Sequence, residues 1–204
     1  MTVNEATWHA ALAPYIERDD LIVDFAHPFL RPTGERVDSV PSVFMRFPQW
    51  KGAPVGDDAA KKSPSMIDVD GEPLFPELAV LRLLEKDGWE GRWILTNKAG
   101  EITKYLTEWR EGKREDQRNR TITHDHARST LYQVADRSGN RYGGCWSVFA
   151  WRGNDLAFFE TKRQSAKDKD RLRPAQEAWV RAALSLRQQV LSPRDFVYVQ
   201  WDFR

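Results

Sequence analysis

The sequence predicts an α/β domain with a mixed central sheet flanked by helices. Three observations predict it. Residues 143–162, GGCWSVFAWRGNDLAFFETK, carry two apolar and aromatic runs around a Gly-Asn pair and read as a β-hairpin. Apolar residues at helical spacing before and after the hairpin read as helices over 76–86 and 174–189. Short apolar and aromatic runs at 93–95 and 196–201 read as a first and a last strand. The resulting order of helix, strand, hairpin, helix, strand layers helices on a sheet.

The hairpin sets the register of the candidate site. If Gly153 and Asn154 form the turn, Arg152 pairs with Asp155, Trp151 with Leu156, and Ser147 faces Glu160. Side chains alternate along a strand, so Glu160 and Lys162 share one face, with Ser147 and Cys145 opposite them on it. A carboxylate and an ammonium at the end of an otherwise apolar strand are costly to desolvate unless something uses them. Asp155 reads as a turn residue. It is odd-numbered on a strand whose polar face is even, and five residues at about 3.4 Å each separate it from Glu160 by roughly 17 Å.

The earlier chain reads in order as follows. Residues 4–18 form an amphipathic helix through Trp8, Ala11, Leu12 and Tyr15, and 21–25 a short strand. Pro28, Pro32, Pro41, Pro48, Pro54 and Pro64 then predict loops and short extended pieces. Phe44, Phe47 and Trp50 within them either tuck this segment onto the core or offer a surface for stacking bases. Asp70-Gly71 marks a boundary between an N-terminal elaboration, 1–70, and a core, 71–204. The helix over 76–86 starts with Pro76 at its first position and ends near Gly88. Val80, Leu81 and Leu84 form its apolar face, which Glu77 borders.

Residues 97–141 are polar and mixed in charge and read as an insertion, with a short helix over 103–109 and a solvated stretch over 111–120. His124-Asp125-His126 has metal-like spacing, but no further His or Cys cluster is available to complete a site.

Composition bounds the function classes. Aromatics make up 12% and charged residues 30% of the 204 residues, a globular balance. The net charge of +1 announces no polyanionic partner, so a nucleic-acid surface must come from local clustering. The single cysteine, Cys145, excludes an intrachain disulfide and an all-cysteine metal cage. No apolar run approaches the ~18 residues of a membrane span, and the first residues lack a signal-peptide pattern. An intracellular, cytoplasmic protein with no membrane partner is the expectation. Local clustering does occur after the hairpin. From Lys162 to Arg173 the chain has six basic residues against two acids. Arg163, Lys167, Lys169, Arg171 and Arg173 are therefore candidate phosphate contacts. The helix that follows carries Gln176, Trp179, Val180, Ala183 and Leu184 along one face.

The Glu160-Thr161-Lys162 triplet on the second hairpin strand, the basic segment 167–173 and the Gln176-x-x-Trp179 helix, in that order, resemble the PD-(D/E)xK nuclease superfamily, and within it the VRR-type branch. The resemblance covers roughly residues 71–204 and implies a restriction-endonuclease-like core. It also implies metal-assisted hydrolysis of DNA, branched or flapped substrates included, with Mg²⁺ or Mn²⁺ as cofactor. Implied metal ligands are Glu160, the backbone carbonyl of Thr161, and Glu77 on the first core helix. Lys162 would orient or deprotonate the attacking water, and Gln176 would position Lys162 or the phosphate.

One position departs from the pattern. Ser147 stands where the family places a metal-binding Asp, and a neutral hydroxyl is a poor Mg²⁺ ligand beside a carboxylate. The chain is then a degenerate member that binds nucleic acid without cutting it, a chain whose Asp has been replaced, or one in which Glu77 or Asp136 takes over.

Overall fold

The computed structural model describes residues 6–53, 66–164, 172–186 and 190–204. The helix expected over 4–18 is a single turn, α1 (His9–Leu12), followed by a 3₁₀ turn at Ala13–Tyr15. Pro14 lies inside that turn and cannot supply the N–H that would continue the helix. The chain then extends into β1 (Ile16–Leu30), which pairs antiparallel with β2 (Arg36–Phe47).

Much of the segment expected to be loops is thus a long hairpin. Its prolines fall where a ladder tolerates them. Pro28 lies on an edge strand, inside a register shift between Asp24 and Phe29. Pro41 stands immediately before Ser42, where β2 begins to pair on its other side. Phe47 is fully buried, Phe44 is buried and Trp50 packs against the core, so these aromatics serve packing.

A small antiparallel pair, β3 (Ile67–Val69) and β4 (Glu72–Leu74), leads into α2 (Pro76–Lys86), whose bounds match the expected helix. Pro76 occupies its start, and Gly88, at φ +78°, turns the chain out of its end. β5 (Glu90–Thr96) follows. Residues 103–109 are not helical; Ile102–Leu106 form β6, an edge strand on β5. Its Ile, Thr and Tyr residues suit a half-buried strand better than a helix.

The polar segment also holds an unexpected helix, α3 (Asp125–Arg137), which buries Ala127, Thr130, Leu131, Val134 and Ala135. His124 caps it, with Nδ1 accepting the Ala127 N–H at 3.3 Å, and stacks on Trp151. The hairpin is β7 (Val148–Arg152) and β8 (Asp155–Arg163); α4 (Pro174–Leu184) and β9 (Phe196–Phe203) close the fold.

Seven strands form one mixed sheet in the order β1-β2-β9-β8-β7-β5-β6, with β9 parallel to both β2 and β8. α1 and α2 pack on one face with Val148, Ala150, Ala157, Phe159, Val197 and Val199. α3 and α4 cover the other with Phe149, Trp151, Leu156, Phe158, Phe196 and Tyr198.

The hairpin register is the expected one: Arg152 pairs with Asp155, Trp151 with Leu156 and Val148 with Phe159. Gly153 at φ +58° supplies the positive first turn position of a II′-like hairpin. Three stacked rings lock this register across strands. Phe149 lies on Phe158 at 4.3 Å between centroids, and Phe158 on Phe196 at 5.0 Å. Each such pair contributes about 0.5–1.5 kcal/mol beyond its buried area. A one-residue slip would break both contacts and turn Glu160 to the other face.

Candidate functional site

Even-numbered residues of β8 face α3 and α4, so Glu160 follows Leu156 and Phe158 on that side, and Lys162 continues the row. The site lies where β7 begins. Ser147, one residue before β7, donates its backbone N–H to Glu160 Oε2 at 3.1 Å, and its hydroxyl donates to the Phe159 carbonyl at 3.3 Å. Glu160 is 8% exposed.

The first turn of α4 faces the carboxylate. Arg173 Nη2 lies 3.8 Å from Glu160 Oε1. The Arg173 backbone N–H donates to Gln176 Oε1 at 3.0 Å, which orients the Gln176 amide. Gln176 Nε2 is buried, closes no hydrogen bond among the described residues, and lies close enough to Glu160 to favour its charged form.

Electrostatics at this carboxylate oppose each other. Burial raises the Glu160 pKa above its ordinary value, and this outweighs Arg173, the Ser147 N–H and Gln176, which lower it. Burial, reinforced by the negative charge of Glu160, pushes the Cys145 thiol well above its usual range. Cys145 is therefore a buried thiol rather than a nucleophile. It lies in the turn ahead of β7 instead of within the strand. Lys162 is half-buried and closes no ion pair or hydrogen bond among the described residues.

The close approach of this turn to α4 depends on Gly144. Its φ is +92°, and a Cβ there would lie 2.0 Å from the Ala175 carbonyl oxygen. The Gly143-Gly144 pair just before the strand was the sequence signal for this contact.

Ser147, Glu160, Gln176 and Arg173 thus come together, and Lys162 follows Glu160 on the same face of β8. Other expected members do not. Glu77 opens α2, which packs on the opposite face of the sheet from Glu160. Thr161 also points to that opposite face, with its hydroxyl buried and unbonded among the described residues. Arg163 alternates away from Lys162, donates to Asp202 at 3.2 Å and stacks over Trp201 and Phe203, so its charge is engaged away from the site. Asp136 is exposed near the end of α3. Asp155 pairs with Arg152 at the turn. Lys167, Lys169 and Arg171 lie outside the described residues.

Mg²⁺ takes a shell of oxygen ligands in near-octahedral geometry. Among the described residues, no group of three or more His, Cys, Asp or Glu is placed to hold a metal ion. One oxygen of Glu160 accepts the Ser147 N–H and the other faces the Arg173 guanidinium, so the protein's own donors occupy the place a cation would take. The described residues do not fit a Mg²⁺ or Mn²⁺ centre.

No helix among the described residues is long and apolar enough to cross a membrane. Comparison with family models, with curated proteins and with solved structures finds no match to this chain.

Proposed function

We propose that this protein is a DNA-binding module on a PD-(D/E)xK nuclease-like fold, holding a phosphodiester chain at the Glu160–Lys162 face without hydrolysing it. The observation that carries this reading is the Ser147–Glu160 pairing: a neutral hydroxyl stands where hydrolysis needs a second carboxylate. The order of α2, β5, the β7–β8 hairpin, α4 and a parallel β9 supports the nuclease-like fold. Lys162 and Arg173 supply charge for phosphates, which bind through lysine and arginine.

The test uses labelled single-stranded, duplex and flap DNA. Binding is expected in EDTA, weakening steeply with salt, with no cleavage when Mg²⁺ or Mn²⁺ is added. Cleavage by the unaltered chain overturns the reading.

A second reading, a metal-dependent nuclease lacking one ligand, is favoured by Lys162, half-buried and without a partner among the described residues, two residues from a buried carboxylate. Under it, Ser147→Asp gains Mg²⁺- or Mn²⁺-dependent cutting, and Lys162→Ala on that background abolishes it. Inert variants that still bind DNA exclude it.

A further inference from the structure

Beside the site, a groove of about 550 Å³ opens between the end of α3, the outer side of α4 and the turns at 98–100 and 141–144. Its lining contains Lys98, Arg137, Arg141 and Arg181 and no acidic residue. None of the four forms an ion pair among the described residues. Neutral groups fix two of them. Arg137 Nε donates to Ser185 Oγ at 3.3 Å, and Arg181 Nη2 donates to the His27 carbonyl at 2.8 Å while its guanidinium lies over Phe29. Their charges are positioned but not neutralised.

This concentration is local. The chain's net charge is only +1, and the neighbouring cavities are lined by Asp125 and Asp136 or by Asp24 and Glu177. Like charges gathered in a concave, low-dielectric wall focus the field on an anion. The wall also carries Trp179, whose indole N–H is buried without an acceptor among the described residues.

The groove adjoins the site through neighbouring residues of the chain. Gly144 and Ala175 line it, and their successors Cys145 and Gln176 flank Glu160. We propose that the groove holds the sugar–phosphate backbone of the DNA strand bound at the Glu160–Lys162 face. This rests on the DNA-binding reading above. Its lining offers charge and small residues but no exposed aromatic or paired amide, so the contact reads phosphate rather than sequence.

Lys98 and Arg141 are exposed, and neither side chain has a hydrogen-bond or ion-pair partner among the described residues, so Lys98→Gln/Arg141→Gln leaves the fold intact. Fluorescence anisotropy in EDTA on two 20-mers of unrelated sequence, across a salt series, compares it with the unaltered chain and with Lys162→Ala. The double variant is expected to bind both DNAs roughly 10-fold more weakly near 100 mM salt. Its log K against log salt slope should be shallower by about 1.4–1.8, the value for two lost phosphate contacts. Unchanged affinity and slope, with Lys162→Ala still weakened, overturn the groove and leave the binding reading standing. If the unaltered chain binds neither DNA at low salt, both fall. Loss confined to one sequence overturns the claim of phosphate readout.

Discussion

Ser147 donates its backbone N–H to Glu160 Oε2 at 3.1 Å, so the residue opposite the buried carboxylate acts as a hydrogen-bond donor rather than a second negative charge. Burial still dominates and raises the Glu160 pKa. A raised carboxylate pKa contributes stability that is complete below the unfolded value, about 4.3, and is lost as pH rises through the folded value. Glu160→Gln removes that loss while keeping the shape and one acceptor for Ser147. Arg173 is two-thirds exposed and is not left as a buried orphan.

The variant should therefore melt higher than the unaltered chain near pH 7–8, with the gap closing toward pH 4. About 1 kcal/mol corresponds to roughly 2–4 °C for a chain of this size. Thermal melts across this range check it. A variant less stable at pH 7, with a deficit that grows with pH, would show that the ionised carboxylate is a net stabiliser.

Gly144 gives a sharper structural test. At φ +92°, with a Cβ position 2.0 Å from the Ala175 carbonyl, an added methyl meets backbone that cannot step aside without moving the start of α4. Gly144→Ala should lose on the order of 3 kcal/mol and displace Gln176 from Glu160. Gly143→Ala meets only the Gly100 Cα at 3.6 Å and is the matched control. Equal melting temperatures for the two variants would remove the close approach from the account.

The parts of this molecule that were legible are those whose signals are local. Gly153-Asn154 and the alternation around it placed Ser147 against Glu160, and Pro76 and Gly88 bracketed α2. Only the middle of β1, residues 21–25, was legible; the rest was not, because an edge strand exposed on much of its length shows no clean alternation, and Pro28 and Pro41 looked like loop residues. α3 was hidden by its polar composition, although Ala127, Leu131 and Val134 keep helical spacing. Alternation along β8 turns Arg163 to the face opposite Lys162, where it bonds Asp202. Which face α2 takes, and with it Glu77, is a tertiary property. So is the meeting of Lys98, Arg137, Arg141 and Arg181, which come from separate elements.

Arg82 holds the small β3–β4 pair against α2. Its Nε and Nη2 donate to the two Glu72 oxygens at 2.9 Å each, and Glu85 takes Nη1. The Glu72 bonds are the largest influence holding its pKa above the ordinary value. Arg82→Lys keeps the charge and loses the planar fork, so it should destabilise by about 1 kcal/mol, less any salt-screened share. A melt that is insensitive to Arg82→Lys would reduce the cluster to a surface pair of no energetic consequence.

The N-terminal hairpin is built into the sheet, and its removal should prevent the rest from folding. β2 pairs with β9 from Ser42–Tyr198 to Phe47–Phe203, leaving β9 an interior strand. Val43, Met45 and Phe47 are completely buried in the core shared with α2, Phe159 and Val199. Full burial of such side chains contributes about 1.5–3 kcal/mol each, together comparable to the ~5–15 kcal/mol that separates folded from unfolded domains. On the other face Glu177 accepts the Ala26 N–H at 3.0 Å, a second tie between β1 and α4. A chain of residues 71–204 should show no cooperative thermal transition and should be cleaved rapidly by protease, where the full chain resists. A truncated chain melting cooperatively within a few degrees of the full one would mean that β9 tolerates an open edge, and that β1 and β2 are appended to a core already complete without them.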